Sequence, residues 1–308
     1  MTGARPSRRL VLAGLATGFA AGAQAAAPAP VAVGSKLDLE SALLGAMVLL
    51  ALREAGVPVI DRLRLGPTSL VRQALLAGAI DVCVEYTGNA ATFFQQEGDP
   101  VWRDAAKGYE RAAALDLARN GLVWLSPAPA DNSWIIAVPR APARRHGLTS
   151  LADFARRVAA GGRARLAASA EFVESPAGLP AFEAAYGFRL GADQLLVLSG
   201  GETIATMKAA ADAISGVDAA MAYRTDGALD ALGLVALEDP LRSQPVYAPA
   251  PVLRAATLEA WPAARAALAP LFAGLDVETL RALNARVAVD GEDPAAVARG
   301  HMARRGAP

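Results

Sequence analysis

Two of the five tyrosines in this chain of 308 residues stand at matching places. Tyr86 closes an apolar run and is followed by Thr87-Gly88; Tyr223 closes another and is followed by Arg224-Thr225-Asp226-Gly227. An aspartate lies five residues before each, Asp81 in the first case and Asp218 in the second. An isolated tyrosine at such a place reads as a cap on an apolar strand, and the repetition is what turns the reading toward a ligand. A third ring, Trp134, lies beside Asn132 and Ser133. A quaternary ammonium has no N–H to donate, so a site selects it with aromatic faces, each good cation–π contact contributing about 0.5 to 2 kcal/mol. Tyr86, Trp134 and Tyr223 are therefore a candidate cage for a permanently charged nitrogen.

Other chemistries find less material. A nucleophilic enzyme needs a base within reach of its serine or cysteine. His146 sits beside Arg144 and Arg145, and His301 lies near the C-terminus. The single cysteine, Cys83, is inside an apolar run and reads as buried filler. One cysteine and two histidines leave no set of the kind that holds zinc, and no metal or cofactor is expected. Glu85 and Glu171 could act as acid or base, but no paired carboxylate motif accompanies them, and a hydrogen-bonded structural role is the preferred reading. Gly200-Gly201-Glu202-Thr203 precedes a helix and could offer N–H groups to an anion, yet it lacks the lysine of a phosphate loop. Thirty basic residues balance thirty acidic ones, so no net positive field exists to hold nucleic acid or an anionic membrane.

The elements that must position the rings follow a repeated strand and helix alternation, as in a doubly wound α/β chain. Val31–Gly34 reads as a strand, 39–55 as a helix and 58–65 as an alternating strand. Leu70–Ala77 is predicted as a helix capped by Gly78, followed by a strand over 79–84. After a strand over 133–138, Ser150 and Asp153 form a capping box for a helix over 151–159. Strands are predicted at 166–168, 195–198 and 217–223, with a helix over 203–213 between the last two. Tyr-Ala-Pro-Ala-Pro in 246–252 reads as a connecting segment. Two helices close the chain, one over about 260–271 and one opened by Asp293-Pro294. The segments 68–88 and 203–227 echo each other as helix, turn and strand. Ligands of open α/β sheets bind outside the carboxyl ends of the strands, so two facing lobes would aim Tyr86 and Tyr223 into one cleft.

With 54% hydrophobic and 19% charged residues, most of the chain is expected to fold. Residues 1–25 read as a cleavable export signal, with Arg5, Arg8 and Arg9 ahead of a short apolar run and Ala23-Gln24-Ala25 as the peptidase site. Ser7-Arg8-Arg9-Leu10 also resembles a twin-arginine signal, so the export route stays open between the two. No cysteine near the cleavage region is available for lipid attachment. The mature chain is expected to be a soluble periplasmic protein and a monomer. One lobe is expected to span 26–137 plus 251–308 and the other 138–250.

The chain resembles the substrate-binding proteins of osmoprotectant ABC importers, which take glycine betaine, choline, carnitine or proline betaine. The likeness rests on Gly34-Ser35-Lys36 with Glu40, on Gly78-Ala79-Ile80-Asp81 leading to Glu85-Tyr86-Thr87-Gly88, and on Glu171-Phe172. It continues through Gly178 with Pro180, Tyr186-Gly187, Tyr223 with Thr225-Asp226-Gly227, Leu237-Glu238-Asp239 and Pro251-Val252. The resemblance implies a two-lobed type II periplasmic-binding-protein fold, each lobe a mixed sheet flanked by helices. Two crossovers join the lobes, and the C-terminal helices return to the first. It implies cage roles for Tyr86, Trp134 and Tyr223 and ligand hydrogen bonds from Thr68 and Thr87. Ser35, Lys36, Asn132, Glu171, Phe172 and Thr225 complete the expected site. The partners implied are a permease and an ATPase.

Departures from the pattern bear on affinity. Leu179 stands where tight binders carry a tyrosine, and Ser41 where many carry glutamine. A missing ring weakens binding by roughly one cation–π contact, about tenfold, and the chain is closest to the low-affinity branch. Arg224 replaces a small residue; facing inward it would clamp a carboxylate, facing outward it would be a solvated charge. One rival is thus a receptor of the same fold for an amino acid or carboxylate anchored by Arg224. Another is an exported enzyme working through Glu85 or Glu171.

Overall fold

A computed structural model describes residues 1–2, 28–162, 164–198 and 203–305. Residues 3–25 of the expected export signal and Gly200-Gly201-Glu202 of the glycine-rich turn lie outside the described residues. The chain runs β1 (Val31–Lys36), β2 (Val59–Gly66), β3 (Val82–Tyr86) and β4 (Leu122–Trp124). It crosses to β5 (Trp134–Pro139), β6 (Leu166–Ser169), β7 (Leu195–Leu198), β8 (Ala219–Tyr223) and β9 (Leu234–Ala236), and returns as β10 (Pro249–Arg254). Two five-stranded sheets result, ordered β2-β1-β3-β10-β4 and β7-β6-β8-β5-β9. In each, three strands are parallel and the next two pairings are antiparallel. Apolar clusters cover both faces of both sheets, as mixed sheets with helices on either side require. This is the α/β two-lobed architecture the sequence implies.

Local rules account for much of it. Asp38 caps the helix Leu39–Glu54 by accepting from the Ser41 amide at 2.8 Å. That helix is buried nearly all round, as an element without a polar face must be. Gly78 ends the helix Thr68–Ala77 in the left-handed region at φ 73°. The Ser150 and Asp153 capping box forms on the helix Leu151–Ala159.

The echo between the halves has a physical counterpart. Asp81 Oδ2 accepts from the Ala32 amide at 2.9 Å, and Asp218 Oδ1 accepts from the Arg165 amide at 2.8 Å. Each aspartate also meets an arginine, Arg254 and Arg157 respectively. Both therefore tie the start of a tyrosine-ending strand to its parallel neighbour.

Three expectations change. The Pro-rich segment is strand β10, inserted between β3 and β4. The carbonyls of Pro249 and Pro251 accept from the amides of Ala128 and Leu125, so their missing N–H groups face the first crossover and not β3. The expected boundaries after residues 137 and 250 cut through β5 and β10. β5 pairs wholly in the second sheet and β10 wholly in the first, so the sheets divide at 133/134 and 248/249. Finally, four helices close the chain: Ala255–Ala260, Ala263–Ala273, Val277–Ala288 and Pro294–Arg305. Their apolar residues, among them Phe272, Leu280, Leu283 and Val297, join the core of the first lobe. Among the described residues no helix is long and apolar enough to cross a membrane.

Candidate ligand-binding cleft

Trp134 and Tyr223 face each other directly across the antiparallel β5/β8 pair. Side chains opposite one another on one sheet face pack closely, and here the rings stack, with centroids 6.3 Å apart and planes inclined by 19°. Phe172, fully buried, meets the Trp134 ring edge-on at 5.6 Å and continues into the core through Phe182. This is the second lobe's aromatic wall, with Phe172 as its backing.

Tyr86 belongs to the first lobe and ends β3. Its hydroxyl donates to Glu40 Oε1 at 2.7 Å, and the Lys36 ammonium rests 4.6 Å from its ring centroid. Burial, then the Glu40 and Asp38 carboxylates, push the Tyr86 phenol well up. The Tyr223 phenol is pushed up by burial first, then by Glu171, with Asp226 and Asp38 adding to it. The phenols of both lobes thus feel the Asp38 carboxylate at the start of the Leu39–Glu54 helix.

Glu40 joins three segments of the chain. Its carboxyl accepts from Tyr86, from Asn132 Nδ2 in the first crossover at 2.9 Å and from Asn284 Nδ2 in the Val277–Ala288 helix at 2.7 Å. Burial raises the Glu40 pKa, and hydrogen bonding from Thr225, Tyr86 and Asn284 opposes that rise in part. Sequence reading placed Glu40 only within a motif and missed Asn284, since a single asparagine in a helix carries no signal of its partner. Tyr247 was missed as well. It lies in the second crossover over Gly88, where a Cβ would come 2.8 Å from its ring. Burial first, then Glu171 and Asp131, push its phenol up to about 12. Glu171 therefore acts on both Tyr223 and Tyr247.

The remaining expected residues divide between the cleft and the frame. Thr225 is buried in the interlobe space, and its carbonyl accepts from Asn284 at 2.9 Å. Thr68 opens its helix and is half-buried. Glu171 is exposed near the start of the helix Ala170–Glu174. Ser35 donates to the Lys36 carbonyl and accepts from the Arg64 amide, holding the irregularity where β1 meets β2. Lys36 forms a buried ion pair with Glu85 at 2.6 Å, and Glu85 Oε1 also accepts from Asn89 and the Tyr86 amide. Thr87 Oγ1 donates to the Val246 carbonyl and accepts from the Ala248 amide, stitching β3 to the second crossover. Arg224 Nε lies 3.7 Å from Asp131 Oδ2, so the guanidinium already has a carboxylate partner. Leu179 is buried in the second lobe's core. The Cys83 thiol is buried and its pKa is pushed up to about 12, chiefly by desolvation, which suits filler.

Known proteins share this chain's sequence and fold. The sequence profile of the OpuAC family, the substrate binding domain of ABC-type glycine betaine transport systems, matches residues 29–304. The chain is 52% identical over 280 residues to the glycine betaine-binding protein YehZ of Escherichia coli (strain K12), covering 91% of this chain and 92% of that protein. It is 32% identical over 272 residues to a glycine-betaine-binding protein of Pseudomonas aeruginosa, covering 86% and 85%. The structure of apo YehZ superposes with a TM-score of 0.77, covering 91% of this chain and 99% of that one. Lactococcal OpuAC in its closed form with glycine betaine, 14% identical, shares the fold at a TM-score of 0.60 over 90% and 96% of the two chains. The chain is a member of the family of substrate-binding domains of ABC-type glycine betaine transport systems.

Proposed function

We propose that this protein captures a small quaternary-ammonium solute of the glycine betaine and choline class between its lobes and delivers it to an ABC importer. The observation that carries the reading is the stacked pair Trp134 and Tyr223 on the second lobe, joined to Tyr86 on the first through Glu40, Asn284 and the Thr225 carbonyl. A donor-free cation gains attraction from aromatic faces, whereas a primary ammonium set against ring faces alone would be left with unsatisfied N–H groups. Capture is a change of lobe angle about the crossovers 125–133 and 237–248, and no bond is made or broken. Tyr247 is a fourth candidate ring. The Thr68 hydroxyl and Thr225 are candidates for the ligand's polar end. Arg224 and Lys36 already face Asp131 and Glu85, which weighs against an amino-acid receptor anchored by Arg224. The reading extends to an exported, monomeric chain without a lipid anchor, to be checked by the mass and N-terminus of the mature protein. Calorimetry with glycine betaine, choline, carnitine and an amino-acid panel tests the ligand class. Heat from the first three and none from the amino acids is expected; the reverse pattern would overturn the cage.

A further inference from the structure

The segment that follows Tyr223 docks onto a helix of the other lobe. Arg281 Nε donates to the Arg224 carbonyl at 2.7 Å, and Asn284 Nδ2 donates to the Thr225 carbonyl at 2.9 Å. Gly227 lies against the backbone of the same helix, where an added Cβ would come 2.5 Å from Ala285 Cα and closer still to its nitrogen. Positions 281, 284 and 285 share one face of the Val277–Ala288 helix, because residues three and four apart are neighbours. That helix packs in the core of the first lobe through Leu280, Leu283 and Val287, while Tyr223 and the residues after it belong to the second.

Gly227 has φ −73° and ψ −21°, an ordinary right-handed helical conformation open to any residue. Its backbone therefore does not call for glycine. The three nearest atoms to its missing side chain all belong to Ala285 and Asn284, across the lobe interface. Asn284 also donates to Glu40 Oε2, and Glu40 Oε1 accepts from the Tyr86 hydroxyl. A chain of hydrogen bonds thus runs from the first lobe's ring, through Glu40 and Asn284, to the residue two beyond the second lobe's ring.

We infer that the segment Arg224–Gly227 and the Val277–Ala288 helix form a latch that holds the lobes together without a ligand, with Gly227 as the position whose lack of a side chain permits it. Asn284 and Arg281 are positioning residues: they act through the latch and not by touching solute. The inference rests on the ligand reading above only for its effect on affinity, since the lobe angle is measured without solute. The backbone at 227 admits an added Cβ, which in this arrangement of lobes collides with the Val277–Ala288 helix. A latch that pre-sets closure raises the competent fraction of the free protein, and its loss lowers apparent affinity by the same factor.

The test uses the mature full-length protein and the variants Gly227→Ala and Asn284→Ala, with small-angle scattering of the ligand-free proteins, far-UV circular dichroism, and calorimetry with glycine betaine. Both variants are expected to keep the parent spectrum, to show a larger radius of gyration, and to bind about tenfold or more weakly. If Gly227→Ala does not fold, Asn284→Ala alone decides on the same readouts. Unchanged radii in the folded variants would overturn the latch, as would weaker binding with an unchanged radius, which would instead put the substituted group in contact with solute. If no protein, the parent included, gives heat with glycine betaine, the ligand reading fails while the radii still judge the latch.

Discussion

At the scale of single residues, partners within the protein distinguish Tyr223 from Tyr86. Tyr223 stacks on Trp134 and its backbone amide donates to Asp226 Oδ2, so its ring is oriented from behind and lies at the surface of its core cluster. Tyr223→Leu is expected to weaken glycine betaine binding at least about tenfold, the loss of one good cation–π face in a desolvated site. It should move the unfolding temperature of the empty protein by only a few degrees. Paired calorimetry and thermal melts check this, and a large drop in melting temperature with unaltered affinity would make the ring ordinary core. Tyr86 differs, because Glu40 holds its hydroxyl and the Lys36 ammonium lies over its ring. Replacing Tyr86 is therefore expected to cost stability as well as affinity, because a buried aromatic with a buried acceptor behind it contributes to both.

At the scale of elements, the two crossovers behave as one stitched unit. The Asn132 amide donates to the Tyr247 carbonyl at 3.0 Å, the Tyr247 amide to Asp131 Oδ1 at 2.9 Å, and Thr87 ties both Val246 and Ala248 to the end of β3. These bonds fix where the hinge lies relative to the carboxyl ends of β3 and β8. Thr87→Val keeps the shape and removes the hydroxyl, leaving a buried amide and carbonyl without their partner. A cost of about 1 to 3 kcal/mol is expected in chemical denaturation, with glycine betaine affinity within about threefold of the parent. Full stability with a large loss of affinity would return Thr87 to the ligand.

At the scale of the whole molecule, Glu40 links stability to pH. Its carboxyl titrates near 4.5 when unfolded, and burial raises the folded value, with Asp38 adding a smaller push in the same direction. Between the two values the folded chain holds more protons than the unfolded one, so stability falls as pH rises through that window. Its contribution is complete below 4.5 and lost above the folded value. Glu40→Gln has no such titration. Its melting temperature, measured in a series of buffers from pH 4.5 upward, is expected to gain on that of the parent as pH rises; a constant gap would mean that the carboxyl is solvated. The formal charge of zero leaves no large net self-repulsion near neutral pH to hide the effect.

What could be read in advance were features whose causes lie within a few residues. The alternation of strands and helices, Gly78 as a C-cap, the Ser150 and Asp153 box, and the two aspartate-to-tyrosine units follow from backbone preference, caps and periodicity. Tyr86 and Tyr223 were legible as the last residues of apolar strands, whereas Trp134 opens β5. The strand made from Pro249–Arg254 was not legible, since proline's lost donor matters only once it is known which side of the strand needs one. Nor were the long-range partners: Glu40 and Asn284 are 244 residues apart, and Thr87 and Val246 are 159 apart. The chain by itself determined two α/β halves with a phenol at the edge of each. Only packing in three dimensions decided that Lys36 and Arg224 face carboxylates of their own, and that a helix near the C-terminus closes against Gly227. Such contacts arise from the burial of whole surfaces against one another, and no local stretch of sequence encodes them.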